Sequence, residues 1–306
     1  MLKRLNIYFK EMYPIIPRVT LGILVFLEIY FIVFCNSGKT IADLSLAPMD
    51  LASMLVCGFT ISSFLCWLRI ADDFKDYELD CRLFAHRPLP SGRVTKKDLK
   101  TFLCFLIPFT LLLNIIFCWD NFIFCFILYT YGSLMAIWFF QKHKIQKSLP
   151  LALVTHNPVQ MIMNIYVISF VVIQHDLKVF TLTNLMAVFT LYFPALIWEV
   201  TRKIRAPQDE TEYVTYSKLF GYKKATNFAL VVTLIDIVTN FILVWNLNKI
   251  SVVLLALLVL WMTYKFIQFK KDPTKFKLVT VVEQYTYVQE TIMVLTIIAY
   301  LVFGKI

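Results

Sequence analysis

Glycine is scarce in this chain, with seven residues among 306. So few permissive positions argue against a loop-rich fold. Charge is scarce too: Lys, Arg, Asp and Glu make up 16% of residues, apolar types 59%, and the mean hydropathy is +0.70. A water-soluble domain does not carry that balance, whereas a membrane-embedded one does. The seven cysteines include no C-x-x-C pair and fall mostly in apolar stretches, so neither a disulfide framework nor a thiolate metal site is expected. The sequence has no P-loop and no Ser-His-Asp set. Its first twenty residues carry Lys3, Arg4, Lys10, Glu11 and Arg18 without a compact apolar core, so no cleavable signal peptide is expected.

What is present is apolar length. Stretches near 19–35, 51–71, 99–118, 121–140, 151–174, 179–200, 225–245, 250–268 and 288–304 are each long enough to cross a bilayer. The expected fold is all-α, a polytopic membrane helix bundle of about nine transmembrane helices in one domain, 1–306. With the N-terminus cytoplasmic, 26 of the 30 Lys and Arg residues fall on the inside, leaving Lys39, Lys178, Lys249 and Lys305 outside. That split explains the net charge of +10 as membrane topology, with no nucleic-acid partner. The long charged connections 72–98 and 201–224 are both inside, so function is expected on the cytoplasmic face. A bacterial plasma membrane is the expected setting.

A weak repeat relates about 15–145, with a charged loop at 69–98, to about 150–306, with a charged loop at 199–221. The spans before these loops end near Trp67 and Trp198. Two such halves facing each other would bring both loops over one cavity.

The first loop, Arg69 to Arg93, reads R-I-A-D-D-F-K-D-Y-E-L-D-C-R-L-F-A-H-R-P-L-P-S-G-R. On a helix, Asp72, Asp76 and Asp80 (i, i+4, i+8) share a face, as do Asp73, Asp76 and Asp80. Clustered carboxylates repel one another unless a cation sits among them. Oxygen donors without His or Cys suit Mg²⁺ or Ca²⁺. Arg82, Arg87 and Arg93 follow and call for an anion, so the pattern points to a metal-bridged phosphate.

The second loop, Trp198 to Gly221, places Glu199, Arg202 and Lys203 at i, i+3, i+4. Asp209, Glu210 and Glu212 follow Pro207, and then come Tyr213, Tyr216, Ser217 and Lys218. Alone, this would read as a solvated, salt-bridged loop. Its position four spans after the first loop favours a functional partner.

The first loop resembles the first aspartate-rich motif of the UbiA superfamily of intramembrane prenyltransferases, N-D-x-x-D-x-x-x-D followed by R-P-[LI]-P-S-G. The matching residues are Asp72, Asp73, Asp76 and Asp80, then Arg87-Pro88-Leu89-Pro90-Ser91-Gly92, with Asp72 replacing the usual Asn. Nine spans with motifs after the second and sixth also fit, so the resemblance covers the whole chain. The second motif departs from the usual D-x-x-x-D: Glu199 and Lys203 occupy the two acidic positions. A shifted register would use Asp209, Glu210 and Glu212 instead. This marks a divergent branch.

The resemblance implies an isoprenyl diphosphate substrate, Mg²⁺, membrane lipid surroundings and a lipophilic acceptor such as a quinone precursor or a lipid. Expected metal ligands are Asp72, Asp73, Asp76, Asp80, Glu199, Asp209 and Glu212. Arg87, Arg202 and Lys203 join these acids in catalysis. Arg69, Arg82, Lys142, Lys144, Arg205, Lys218, Asn157 and Tyr216 are expected to contact the diphosphate. Metal and arginines would neutralise charge on the departing diphosphate. Tyr129, Tyr131, Trp138, Tyr166, Tyr192, Phe193 and Trp198 could face an allylic cation; lipid contact or an interfacial belt is the plainer role. Asn157 and Asn164 are candidates for the cavity wall, Asp236 with Asn240 for interhelical hydrogen bonding. His156 is expected to be structural. Glu283, in a loop expected over 265–287, and Glu290, just beyond it, could face the cavity or simply mark a helix end.

Two alternatives remain open at this stage. A terpene cyclase of the same superfamily would capture the cation with the substrate's own alkenes. A multispanning transporter would place its acids near mid-membrane rather than at span ends.

Overall fold

The computed structural model describes residues 1–211 and 213–305. Among them every regular element is helical. In chain order these are α1 (Leu2–Glu11), α2 (Ile15–Asn36), α3 (Pro48–Lys75), α4 (Tyr77–Leu83) and α5 (Lys96–Phe117). Then come α6 (Phe122–Ala136), α7 (Lys142–Ile145), α8 (Leu149–His156), α9 (Pro158–Gln174) and α10 (Leu182–Ala187). The last five are α11 (Tyr192–Thr201), α12 (Tyr216–Phe220), α13 (Tyr222–Trp245), α14 (Lys249–Lys271) and α15 (Leu278–Phe303).

Eight helical stretches among the described residues are long and apolar enough to cross a membrane. They correspond to eight of the nine expected spans. The remaining one, expected at 121–140, is the 15-residue α6, which ends before Trp138, Phe139 and Phe140, all with positive φ. Two spans are interrupted. Asn157 separates α8 from α9 because the following Pro158 cannot donate a helical hydrogen bond. Leu191, at φ 60°, breaks the span between α10 and α11. The largest departure from expectation is α15, which starts at Leu278, ten residues before the expected span, and so takes Glu283 into the helix. Its polarity, with that of Gln284 and Thr286, hides the start of that helix from a hydropathy reading.

The chain folds as two compact units. One comprises residues 1–30, 45–142 and 165–176, the other 31–44, 143–164 and 177–306. The first unit is joined by polar contacts inside its apolar helices. Tyr166 donates to Asn114 at 2.7 Å, Asn114 to Thr60 at 2.8 Å, and Thr110 to Ser63 at 3.1 Å. Ser63 also pairs with Tyr129. These bonds tie α3, α5, α6 and α9 together where no water can substitute. Small residues bring helices close: a Cβ on Gly132 would lie 2.2 Å from Cζ3 of Trp67. At the surface end, Thr95 and Asp98 form a capping box that starts α5.

The second unit packs Leu196, Ile197, Val200, Met262, Phe266, Phe269, Val282 and Tyr285 into one core from α11, α14 and α15. Asn164 closes the α10–α11 break by donating to the carbonyls of Val188 and Thr190. Gln160 in turn donates to Asn164, which fixes its amide. Thr215 caps α12, and Gly221, at φ 81°, supplies the turn from α12 into α13.

Candidate functional site

The first aspartate motif begins on the last turns of α3 and continues on α4, with a break at Asp76. The break sorts its four acids into two kinds. Asp73 is buried: Tyr8 donates to Oδ2 at 2.6 Å and Arg69 to Oδ1 at 2.7 Å. Asp80 is also buried, and Arg87 Nη1 donates to both its oxygens at 2.9 Å. Asp72 is half exposed, with Lys75 Nζ at 3.4 Å. Asp76 is exposed at the break. Protein crowding its carboxyl and the charges of Asp72, Asp80 and Asp73 push its pKa above the usual carboxylate range, against the pull of Lys75.

A cavity of about 650 Å³ opens beside this motif in the first unit. Arg18, Arg69, His86, Arg87 and Asp72 line its polar wall, and Leu21, Leu65 and Leu68 its apolar wall. Arg18 and His86 were not singled out in the sequence, because neither belongs to a motif. Helix α1 supplies a further wall through Glu11 and Met12. It is anchored by Arg4, which donates twice to Asp98 at 2.7 and 2.8 Å, and by Glu11, which accepts from Arg93 at 2.5 and 2.8 Å. The Arg93 guanidinium holds the Glu11 carboxyl below its usual range. Arg93 thus spends its charge within the chain. Arg82 lies exposed, its Nε at 3.4 Å from the Glu78 carbonyl, and does not line the cavity.

Among the described residues no three His, Cys, Asp or Glu side chains converge to hold a metal ion by themselves. The donor set still suits Mg²⁺. That ion takes one or two carboxylates and completes its octahedron with water and substrate phosphate. Asp72 and Asp76, free of arginine partners, supply that number.

In the second unit, Glu199 accepts from Arg202 at 2.5 Å and from Lys203 at 2.8 Å. Arg202, Arg205, Asp209 and Lys277 line a cavity of about 590 Å³, with Phe269 and Phe276. Glu210 instead staples its own loop, accepting from Thr215 at 2.7 Å and from Ser217. Glu212 lies outside the described residues. Lys218 donates to the Thr211 carbonyl at 3.2 Å. Tyr216 borders an apolar groove of about 410 Å³, with its hydroxyl buried and unpartnered. Burial, then the Glu199 charge, raises its pKa. Asn157 also buries an unpartnered amide nitrogen. Lys142 and Lys144 are exposed on α7.

The aromatic candidates divide as well. Tyr129 and Tyr166 are spent on buried hydrogen bonds. Trp198 donates to Glu283 at 3.0 Å and lies under Arg202. Asp236 and Asn240 are buried together, the amide donating to the carboxylate at 3.1 Å.

Two comparisons bear on this arrangement. A family model described as the UbiA prenyltransferase family matches residues 31–286. A solved structure of a digeranylgeranylglyceryl phosphate synthase in membranes superposes with a TM-score of 0.69 at 16% identity, covering 98% of this chain and 99% of that one. At that identity the likeness is one of fold. No curated protein sequence matches the chain.

Proposed function

Because the chain belongs to the UbiA prenyltransferase family, we propose that it ionises an isoprenyl diphosphate and passes the prenyl group to a lipophilic acceptor within the membrane. The observation that carries this reading is the cavity of the first unit. Three arginines and Asp72 form one side of it and leucines the other. A polar wall against an apolar one matches a diphosphate head on a hydrocarbon tail.

Asp72 and Asp76 would hold Mg²⁺, which neutralises phosphate charge when bound. Asp73 and Asp80 act through their arginines: each fixes a guanidinium, Arg69 or Arg87, at the cavity wall. Fixed donors stabilise the charge that builds on the leaving diphosphate without reorganising during the reaction. In the balanced step the C1–O bond breaks and its electron pair leaves with pyrophosphate. The acceptor's nucleophilic atom bonds to C1 and gives up its proton. In the second motif, Glu199 orders Arg202 and Lys203 as anion donors, and Asp209, Arg205 and Lys218 extend that charged surface. The active face is cytoplasmic in this reading, as the charge split suggests.

The test is purified protein in lipid nanodiscs with Mg²⁺ and a panel of isoprenyl diphosphates, with and without quinone-precursor or glycerolipid acceptors. Pyrophosphate release that requires an acceptor supports transfer. A hydrocarbon or terpene alcohol formed without acceptor would replace transfer by cyclisation. No turnover with any diphosphate would overturn the reading.

A further inference from the structure

Tyr8 is wholly buried, yet it is a tyrosine rather than a phenylalanine, and its hydroxyl has one partner: Oδ2 of Asp73, at 2.6 Å. The other oxygen of Asp73 accepts from Arg69 Nη2, one helical turn earlier, at 2.7 Å. Arg69 also lines the cavity, and its Nε is buried without a hydrogen-bond partner. Phenol, carboxylate and guanidinium therefore form a line that begins inside the protein and ends on an arginine that lines the cavity with Arg87 and Arg18. Helix α1 delivers the phenol, and its anchors to Asp98 and Arg93 lie elsewhere on the helix.

We infer that Tyr8 is a positioning residue that sets the aim of Arg69, through Asp73, at an anionic phosphate in this cavity. The inference rests on the proposed diphosphate chemistry and adds to it a residue outside both motifs. A carboxylate holding a donor for a substrate is itself fixed by a second hydrogen bond, and that outer bond is part of the site. Removal of the phenol leaves Asp73 Oδ2 buried without a donor. Arg69 then turns to satisfy both oxygens, which draws its guanidinium away from the cavity. The loss falls on anion binding, while the acids expected to serve the metal, Asp72 and Asp76, keep their surroundings.

Calorimetric titration of inorganic pyrophosphate, with and without Mg²⁺, into the full chain in nanodiscs tests this. The wild type binds, and Tyr8→Phe, which keeps the ring and its packing, weakens binding on the order of tenfold. With a turned-over diphosphate, KM rises by a similar factor and kcat changes less than about twofold. Arg4→Gln, which loosens α1 at its other anchor, leaves pyrophosphate affinity within about twofold. The double variant Tyr8→Phe/Asp73→Asn binds no more weakly than Asp73→Asn alone, because both changes cut one line. This comparison holds even where a variant loses stability. Wild-type binding with equal affinity in Tyr8→Phe overturns the inference and leaves the diphosphate reading standing. A uniform loss in Arg4→Gln and Tyr8→Phe reduces Tyr8 to a structural anchor. A wild type that binds no pyrophosphate overturns both readings.

Discussion

Arg87 holds Asp80 through a single nitrogen that donates to both carboxylate oxygens at 2.9 Å, with Asp80 nearly excluded from solvent. The pair bridges α4 and the R-P-L-P-S-G turn that follows it, so it fixes the backbone as well as the charge. Arg87→Met leaves a buried carboxylate without compensation and should lower stability by about 3 kcal/mol. Asp80→Asn/Arg87→Met together should recover much of that loss in thermal unfolding, while turnover stays low because the cavity has lost a guanidinium. Recovered turnover in the double variant would show that Arg87 serves the fold alone.

Acid should switch the enzyme off at higher pH than an ordinary carboxylate would. Asp76 is raised by crowding and by its neighbouring acids, and in its proposed role it must be ionised to help hold Mg²⁺. The acid limb of kcat/KM and of Mg²⁺ affinity therefore lies above the usual carboxylate range. Asp72→Asn removes one repelling charge and should shift the Asp76 titration to lower pH. For folding the sign is opposite: an acid raised in the native state lowers stability as pH climbs through its pKa. Asp76→Asn should thus not destabilise at neutral pH. A variant that melts earlier there would contradict this.

Close packing of α6 on α3 should be sensitive to one methyl group. Gly132→Ala places its Cβ 2.2 Å from the Trp67 ring and 3.0 Å from Phe64. Overpacking of that kind costs about 1–3 kcal/mol. Trp67→Leu in the same chain should relieve the clash, and a double-mutant cycle on melting temperature measures the coupling. Additive effects would place the two side chains apart.

The two acids of the second motif should respond differently. Glu199 orders two cations, so Glu199→Gln is expected to lower turnover on the order of tenfold with little change in melting temperature. Glu210→Ala removes the acceptor for two hydroxyls and should cost about 1 kcal/mol per bond, seen mainly as earlier unfolding. The reverse pattern would favour the shifted register.

Spans were legible because bilayer crossing needs one property over twenty residues, which composition displays directly. The start of α15 was not, since Glu283, Gln284 and Thr286 interrupt the apolar signal although Val282 and Tyr285, between and beside them, are buried on the same helix. The acids of the first motif were visible as a pattern, and their division was not. Asp72, Asp73, Asp76 and Asp80 look equivalent at helical spacing. A tyrosine 65 positions upstream of Asp73, with Arg69, and an arginine seven beyond Asp80 set two of them apart. Asn164 was read as a cavity residue for the same reason: the carbonyls it satisfies belong to a break 24 and 26 residues downstream.

Within the first motif, Arg69, Lys75 and Arg87 stand against four aspartates and leave one negative charge uncompensated. A divalent ion among these acids eases the repulsion that a diphosphate meets there, and a bound diphosphate strengthens the pull on the ion. In the proposed reaction each therefore raises the affinity for the other. Linkage makes that dependence mutual and equal in free energy. In the proposed reaction, ion pairs that seem only to hold α3 and α4 in shape thereby couple the uptake of magnesium to that of diphosphate.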